Sequence, residues 1–287
     1  MLIALDDGTR AASFRHGSFD IQVISDGFIC IPGEIFTPDV APDIRSGLLG
    51  RLDTHDGVVR TPTNIPIFRS ENDTILFDIG GGDRYQPSDG KFLENLTAAG
   101  IDKKDITKVV FTHAHPDHIG ATVALDGSLT FPNATYFVGA AEWDYWMDPD
   151  FFIKNPVALH SFGRGAQRDL GAIKDRVVIL KNGDDVVSGI RALDTAGHTP
   201  GHLSFEVSGN EGLIVTADVI TSEIVAVEHP DWTFGYDVQP DLAIKNRKRF
   251  IDRAATDKIK LLGFHWTYPG VGFVEAKGSG YRFVPSV

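Results

Sequence analysis

The chain has 287 residues, 42% of them hydrophobic, and carries a formal charge of -12 with a pI near 5.2. So acidic a surface excludes the concentrated positive field that a nucleic-acid partner requires, and a lone cysteine, Cys30, excludes an internal disulfide. The length suits one large domain, expected as 1–287 with two β-rich halves at about 1–170 and 171–287.

Stretch 1–7 lacks the basic and apolar regions of a secretory leader, and no apolar run is long enough to span a bilayer, so a cytoplasmic protein without membrane contact is expected. Residues 19–24 alternate and then stop at Ser25-Asp26-Gly27, which predicts a strand entering a turn. Cys30, flanked by Ile29 and Ile31, reads as a buried thiol. From 32 to 56 the pattern dissolves into Pro, Gly and charge around Phe36, Leu48 and Leu49, as in a lid or binding loop, or a disordered segment. Residues 64–69 and 74–77 predict two paired strands around the turn Glu71-Asn72-Asp73. The second runs into Asp78 and Gly80-Gly81-Gly82, where a carboxylate either holds a turn or is brought close to a site. Residues 91–99 predict a helix stopped by Gly100, and 106–111 a strand; this strand, helix, strand order predicts an α/β layer arrangement.

That strand delivers the densest chemistry in the chain, Thr112-His113-Ala114-His115-Pro116-Asp117-His118. Neutral imidazole and carboxylate are ordinary ligands for zinc and similar first-row ions. The alternate spacing of His113 and His115 lets both rings leave the strand end toward one side, with Asp117 and His118 on the turn that follows. The competing reading is an exposed loop that happens to be rich in histidine.

Further on, 134–138 predicts a strand and 140–146 a helix whose Trp143, Tyr145 and Trp146 are either core or a substrate wall. Residues 148–171 are uneven and predict a second covering loop, in which His160 alone is no ligand. Short strands at 177–180, 186–187 and 190–193 open the second β-rich half. Three predicted strands there end in candidate ligands: His198, with His202 four residues later, then Asp218 and His265. Residues 240–258 predict one amphipathic helix, its basic run 245–249 a solvated face.

The set His113-x-His115-x-Asp117-His118, then His198, Asp218 and His265, resembles the complete ligand set of the metallo-β-lactamase superfamily, over nearly the whole chain. Phe131-Pro132-Asn133, Trp143 with Trp146, His229-Pro230-Asp231-Trp232 and the tail from Gly263 to Pro285 resemble the branch that holds methyl parathion hydrolase and quorum-quenching lactonases. The resemblance implies an α/β (α+β) fold, a four-layer αβ/βα sandwich of two mixed sheets flanked by helices. It implies two divalent ions, zinc first, with cobalt, manganese or iron as alternatives. His113, His115 and His198 would hold one, Asp117, His118 and His265 the other, with Asp218 bridging. It also implies a hydrolase that uses a metal-bridging hydroxide on a small-molecule lactone or carboxylic ester, with Asp117 moving a proton, and a homodimer. The alternatives are a phosphotriester hydrolase, a β-lactamase, or a metal-binding scaffold without turnover. His202 and Asp78 resemble residues that brace the ligands. Nuclease, glyoxalase II and di-iron redox members of the superfamily fit less well, because their insertions, added domain and glutamate substitution are missing. One departure touches the substrate: lactonases acting on acyl-homoserine lactones commonly carry a tyrosine three residues after the bridging Asp, and here that position is Thr221. Tyr236, Tyr268 and Trp266 are the aromatic residues that could reach the cleft instead.

Overall fold

A computed structural model describes residues 2–4, 10–209, 211–278 and 280–286, so most of stretch 1–7 lies outside the described residues. Among these, nine strands form a first sheet: β1 (Leu2–Ala4), β2 (Arg10–His16), β3 (Phe19–Pro32), β4 (Thr54–His55), β5 (Val58–Arg69), β6 (Thr74–Phe77), β7 (Lys108–Val110), β8 (Thr135–Gly139) and β9 (Val177–Leu180). Their order is β1-β2-β3-β5-β6-β7-β8-β9, with β4 on β5; β6 to β9 are parallel neighbours and the rest antiparallel. A second sheet follows the chain from β10 (Asp185–Val187) through β11 (Ile190–Asp194), β12 (Leu203–Val207), β13 (Leu213–Val215), β14 (Lys260–Leu262) and β15 (Val271–Lys277) to β16 (Gly280–Pro285). Only the β13–β14 pair in it is parallel. Strand β9 therefore completes the first sheet, although its position in the chain suggested the second half.

The helices are α1 (Gly33–Phe36), α2 (Pro42–Leu49), α3 (Phe92–Ala98), α4 (Pro116–Ile119), α5 (Ala140–Trp146), α6 (Phe151–Lys154), α7 (His160–Ala172), α8 (Val225–Glu228) and α9 (Pro240–Asp257). Three apolar clusters set the layers. Phe92, Leu96, Trp146, Phe151 and Leu170 cover the outer face of the first sheet. Phe68, Phe77, Val110 and Phe137 meet Phe205, Leu213, Val215 and Leu262 between the sheets. Phe250, Ile251 and Ala254 of α9 close the far side against Ile214, Leu261 and Val274. Helix, sheet, sheet, helix is the only stacking that buries both faces of each sheet, and each large aromatic so buried contributes roughly 1.5–3 kcal/mol.

Four sequence expectations are corrected here. The turn expected at Ser25-Asp26-Gly27 is a bulge inside the long β3, whose pairing to β5 slips between Ser25 and Gly27 and then resumes. Gly27 makes this possible: at φ 105°, with the Ser88 carbonyl where a Cβ would sit, no other residue fits. Cys30 is exposed, because strand alternation turns Ile29 and Ile31 inward and the residue between them out. Segment 32–56 is ordered rather than patternless, with the short helices α1 and α2 anchored by buried Phe36 and Leu49. Segment 148–171 is also helical, with α7 burying Gly163, Ala166 and Leu170 at helical spacing. The helix over 140–146 and the glycine stop at Gly100 stand as expected. No helix among the described residues is long and apolar enough to cross a membrane.

Candidate metal centre

Parallel neighbours end their strands on the same rim, and the chain uses both parallel groups to bring candidate ligands together. Strand β7 ends at Val110 and delivers His113 and His115; His115 keeps extended dihedrals at the N-terminus of α4, and Pro116 opens the helix turn that carries Asp117 and His118. From the second sheet, His198 follows β11, Asp218 sits on a 3₁₀ turn (Ala217–Ile220) after β13, and His265 follows β14. All seven are buried, with exposures of 6% or less.

The donor atoms fall into overlapping groups that could each hold an ion: His113, His115 and His198; His113, His118 and Asp218; Asp117, His118 and His265. Asp218 spans the groups, with Oδ2 3.3 Å from His198 Nε2 and 3.4 Å from His265 Nε2, and Oδ1 3.5 Å from His118 Nε2. Asp117 Oδ2 lies 3.2 Å from His265 Nε2 and 3.6 Å from His118 Nε2. His115 Nδ1 and His198 Nε2 face each other at 2.9 Å. The fit to metal rests on what these atoms lack. His113 Nε2, His118 Nε2 and Asp218 Oδ1 are buried without a hydrogen-bond partner, an arrangement that costs on the order of 1–3 kcal/mol per group unless something is bound between them.

The charges say the same. Burial alone would lower His118 and His265, yet Asp117 and Asp218 outweigh it, holding His118 well above the ordinary histidine value and His265 at about 10. His113 and His115 are lowered by burial and by the neighbouring imidazoles. Burial would raise Asp218, but His265 and His118 pull it well down. Without metal, protons on His118 and His265 balance the two carboxylates; a divalent cation meets the same field.

Around the seven, a ring of buried groups fixes ring orientation. Asp78, expected to hold a turn or orient a ligand, bonds both the loop and a candidate ligand: Oδ2 accepts from His118 Nδ1 at 2.8 Å and from Thr112 Oγ1 at 2.8 Å, and Oδ1 accepts from Thr112 N at 2.8 Å. His202 braces the backbone of Asp218, its Nε2 accepting from Asp218 N at 3.0 Å while Nδ1 donates to Thr195 Oγ1 at 2.8 Å; burial keeps it neutral, lowered to about 3. His265 Nδ1 donates to Pro62 O at 3.0 Å.

Three buried residues in this ring escaped the sequence reading. Asp237 Oδ1 accepts from His198 Nδ1 at 3.0 Å, and its Oδ2 accepts from Arg247 Nη2 at 2.8 Å. Arg247, 1% exposed, also donates to Val219 O and Trp232 O, so the basic run of α9 is not a wholly solvated face. Its signal was present: Ala243, Arg247, Phe250, Ile251 and Ala254 share one helical stripe. Glu142 accepts from Ala114 N, Trp146 Nε1, Thr199 Oγ1 and Gly201 N, tying the His113–His115 loop to the His198 loop. Nothing local marks Glu142 or Asp237, since their partners lie far along the chain.

Over the donors, Tyr85, Phe162, Phe234, Tyr236, Ile29 and Ile31 form a narrow mouth of about 20 Å³, room for a water-sized occupant. Beside it, His265 walls a second cavity of about 470 Å³ bounded by Phe28, Phe36 and Leu52, so the segment 32–56 does border the binding space. Of the three aromatic candidates, Tyr236 reaches the mouth and Tyr268 the larger cavity, whereas Trp266 is core, its Nε1 donating to Ile220 O at 2.9 Å. Trp146 is core as well, and its ring edge meets His115.

The sequence pattern of the Metallo-beta-lactamase superfamily matches residues 58–263. N-acyl homoserine lactonase AttM of Agrobacterium fabrum (strain C58 / ATCC 33970) is 32% identical over 137 residues, 44% of this chain and 46% of that protein. The match thus spans just under half of that relative's length. A solved structure of AidC, a dizinc quorum-quenching lactonase in complex with a product N-hexnoyl-L-homoserine, has a TM-score of 0.89 and 30% identity, covering 98% of this chain and 99% of its own. The hydrolase AbOPH in the beta lactamase superfamily has a TM-score of 0.89 and 27% identity, covering 96% of this chain and 97% of its own.

Proposed function

The chain belongs to the metallo-beta-lactamase superfamily, and from that premise we propose that it is a dinuclear metal-dependent hydrolase that opens a lactone or cleaves a carboxylic ester. The observation that carries the reading is the set of seven convergent donors with buried, unpartnered nitrogen and carboxylate atoms, which a scaffold without turnover has no need to keep complete. His113, His115 and His198 would hold one ion, Asp117, His118 and His265 the other, and Asp218 both. Zinc is the first choice for this imidazole and carboxylate set, and the dizinc neighbour supports it. When bound, the two ions supply a water of lowered pKa and polarise the substrate carbonyl.

The remaining work falls to side chains. Asp117 lines the mouth, and its ionised Oδ2 is a local acceptor that can take a proton and return it to the leaving oxygen. Tyr236 is half-buried in the same mouth, its phenol raised by burial and by the charge of Asp117; its hydroxyl has no protein acceptor among the described residues, so it can donate to a substrate oxygen. This supplies a phenol where Thr221 does not. Phe162, Phe234, Ile29 and Ile31 keep bulk water from the reacting atoms.

The test is hydrolysis by metal-loaded and chelator-stripped protein of an acyl-homoserine lactone, a plain γ-lactone, an aryl ester, a phosphotriester and a β-lactam. Turnover of lactone or ester that vanishes with the metal and returns with it supports the reading. Preference for the phosphotriester or β-lactam replaces the substrate class, and no turnover by the fully loaded protein refutes the hydrolase.

A further inference from the structure

The cavity of about 470 Å³ beside His265 contains a carboxylate that the chain only half uses. Glu223 is 7% exposed. Its Oε1 accepts both bonds available from Thr267, from N at 2.8 Å and from Oγ1 at 2.5 Å. Its Oε2 accepts from no protein group and no cationic side chain pairs with Glu223 among the described residues, so this oxygen is left open to the cavity. The one arginine on this cavity, Arg60, lies over the Phe28 ring, with its guanidinium carbon 5.5 Å from the ring centroid. A buried charge normally gathers a donor for each oxygen, because one left facing an apolar guest loses its hydration without replacement.

Position gives the free oxygen a use. Glu223 follows the Asp218 turn and Thr267 follows His265, so their bond ties together two segments that carry proposed ligands. The cavity they border shares the His265 wall with the mouth over the donors. For a substrate whose reacting carbonyl sits at that mouth, this cavity, with Glu223, Phe28, Phe36 and Val59 on its walls, is the adjoining space for its other end. Thr61, on the same cavity, adds a buried hydroxyl oxygen without a partner.

We infer that Glu223 is a specificity-determining residue that accepts a hydrogen bond from an N–H or O–H donor on the substituent of the lactone or ester, beyond the reacting carbonyl. This rests on the hydrolase reading above. A substituent with a donor replaces the water on Oε2 as it enters; a purely apolar one strips that water and leaves the charge bare.

The discriminating variant is Glu223→Gln. Its amide oxygen can keep both Thr267 bonds, while its NH₂ replaces the free acceptor with a donor. The metal-loaded wild type and E223Q are compared on three lactones of equal size, whose substituents carry an acylamino N–H, a hydroxyl, or a CH₂ in the donor position. Metal content is measured alongside. The expected result is that the wild type prefers a donor-bearing lactone over its CH₂ isostere. E223Q should reduce that kcat/KM ratio by about ten- to hundredfold, mostly through KM, with two metal equivalents still bound. Whichever donor loses its advantage names the group that Glu223 reads. An unchanged ratio, or an equal loss on all three lactones, overturns the inference and leaves Glu223 as a brace for Thr267. A loaded wild type that turns over none of them removes the hydrolase reading itself.

Discussion

Asp78→Asn isolates what the buried ring around the centre contributes. Asp78 is 1% exposed and sits at φ 60°, a conformation that Asn tolerates and Ala does not, so the backbone is left undisturbed. Asn can keep the bond from Thr112 N, but its NH₂ then meets His118 Nδ1, which in the wild type donates to the carboxylate. Two donors cannot share that contact. In the neutral form that binds metal, the imidazole then keeps its proton on Nε2, the atom that the centre leaves unpartnered and that would face the ion. A hydrogen bond to a charged group is worth about 1.5–3 kcal/mol, a factor of roughly 10–150 in an equilibrium constant. That range overlaps the roughly 10–100-fold losses in metal affinity seen when such supporting carboxylates are changed. The assay is titration of metal-free protein with zinc against a chromophoric chelator, alongside lactonase activity at each free-metal level. D78N should bind one equivalent about 10–100-fold more weakly, with activity restored at high zinc. If D78N binds both equivalents with wild-type affinity, the orientation argument is wrong.

Other consequences follow from the same geometry. Burial would lower His265, but Asp218 and Asp117 raise it to about 10, so in the metal-free protein its proton stabilises the fold fully below the ordinary value of about 6.5 and that contribution fades as pH rises through about 10. Metal must displace this proton and the one on His118, so affinity should strengthen with pH by about tenfold per unit for each proton released; chelator competition between pH 6 and 8 reads the slope, and a flat profile contradicts the assignment. Arg247→Ala leaves Asp237 buried without its cation and should cost about 3–5 kcal/mol, seen as a Tm lower by roughly 10 °C; an unchanged melting curve contradicts the pairing. Tyr236→Phe should lower kcat/KM by about tenfold at full metal content, the worth of one hydrogen bond in a shielded mouth. Equal rates would return Tyr236 to a packing role.

The sequence by itself determined the candidate centre and an α/β layering, while the four-layer order came from the resemblance those residues carry. Candidate ligands at strand ends are a local signal, because a strand has a period of two and stops at a definite residue, so His113, His115, Asp218 and His265 could be assigned to strand ends before any contact was known. Asp78 and His202 were legible for the same reason, sitting next to predicted strand ends or ligands. Tertiary structure decided what depends on partners distant in sequence. Cys30 lies on the outer face because β3 continues through the bulge at Gly27, pinned by β5, which no window around Cys30 contains. Arg247 is buried because Asp237, Val219 and Trp232 together accept from its guanidinium, so burial of the charge is compensated only in the folded protein. Glu142 and Glu223 look like surface acids in sequence and acquire meaning only when loops far apart in the chain deliver donors to both oxygens of Glu142 and to one oxygen of Glu223, whose other oxygen is left to the cavity. Ligand type is written in residue identity and spacing; the direction of each donor, and which polar atoms remain unpaired, is set by packing.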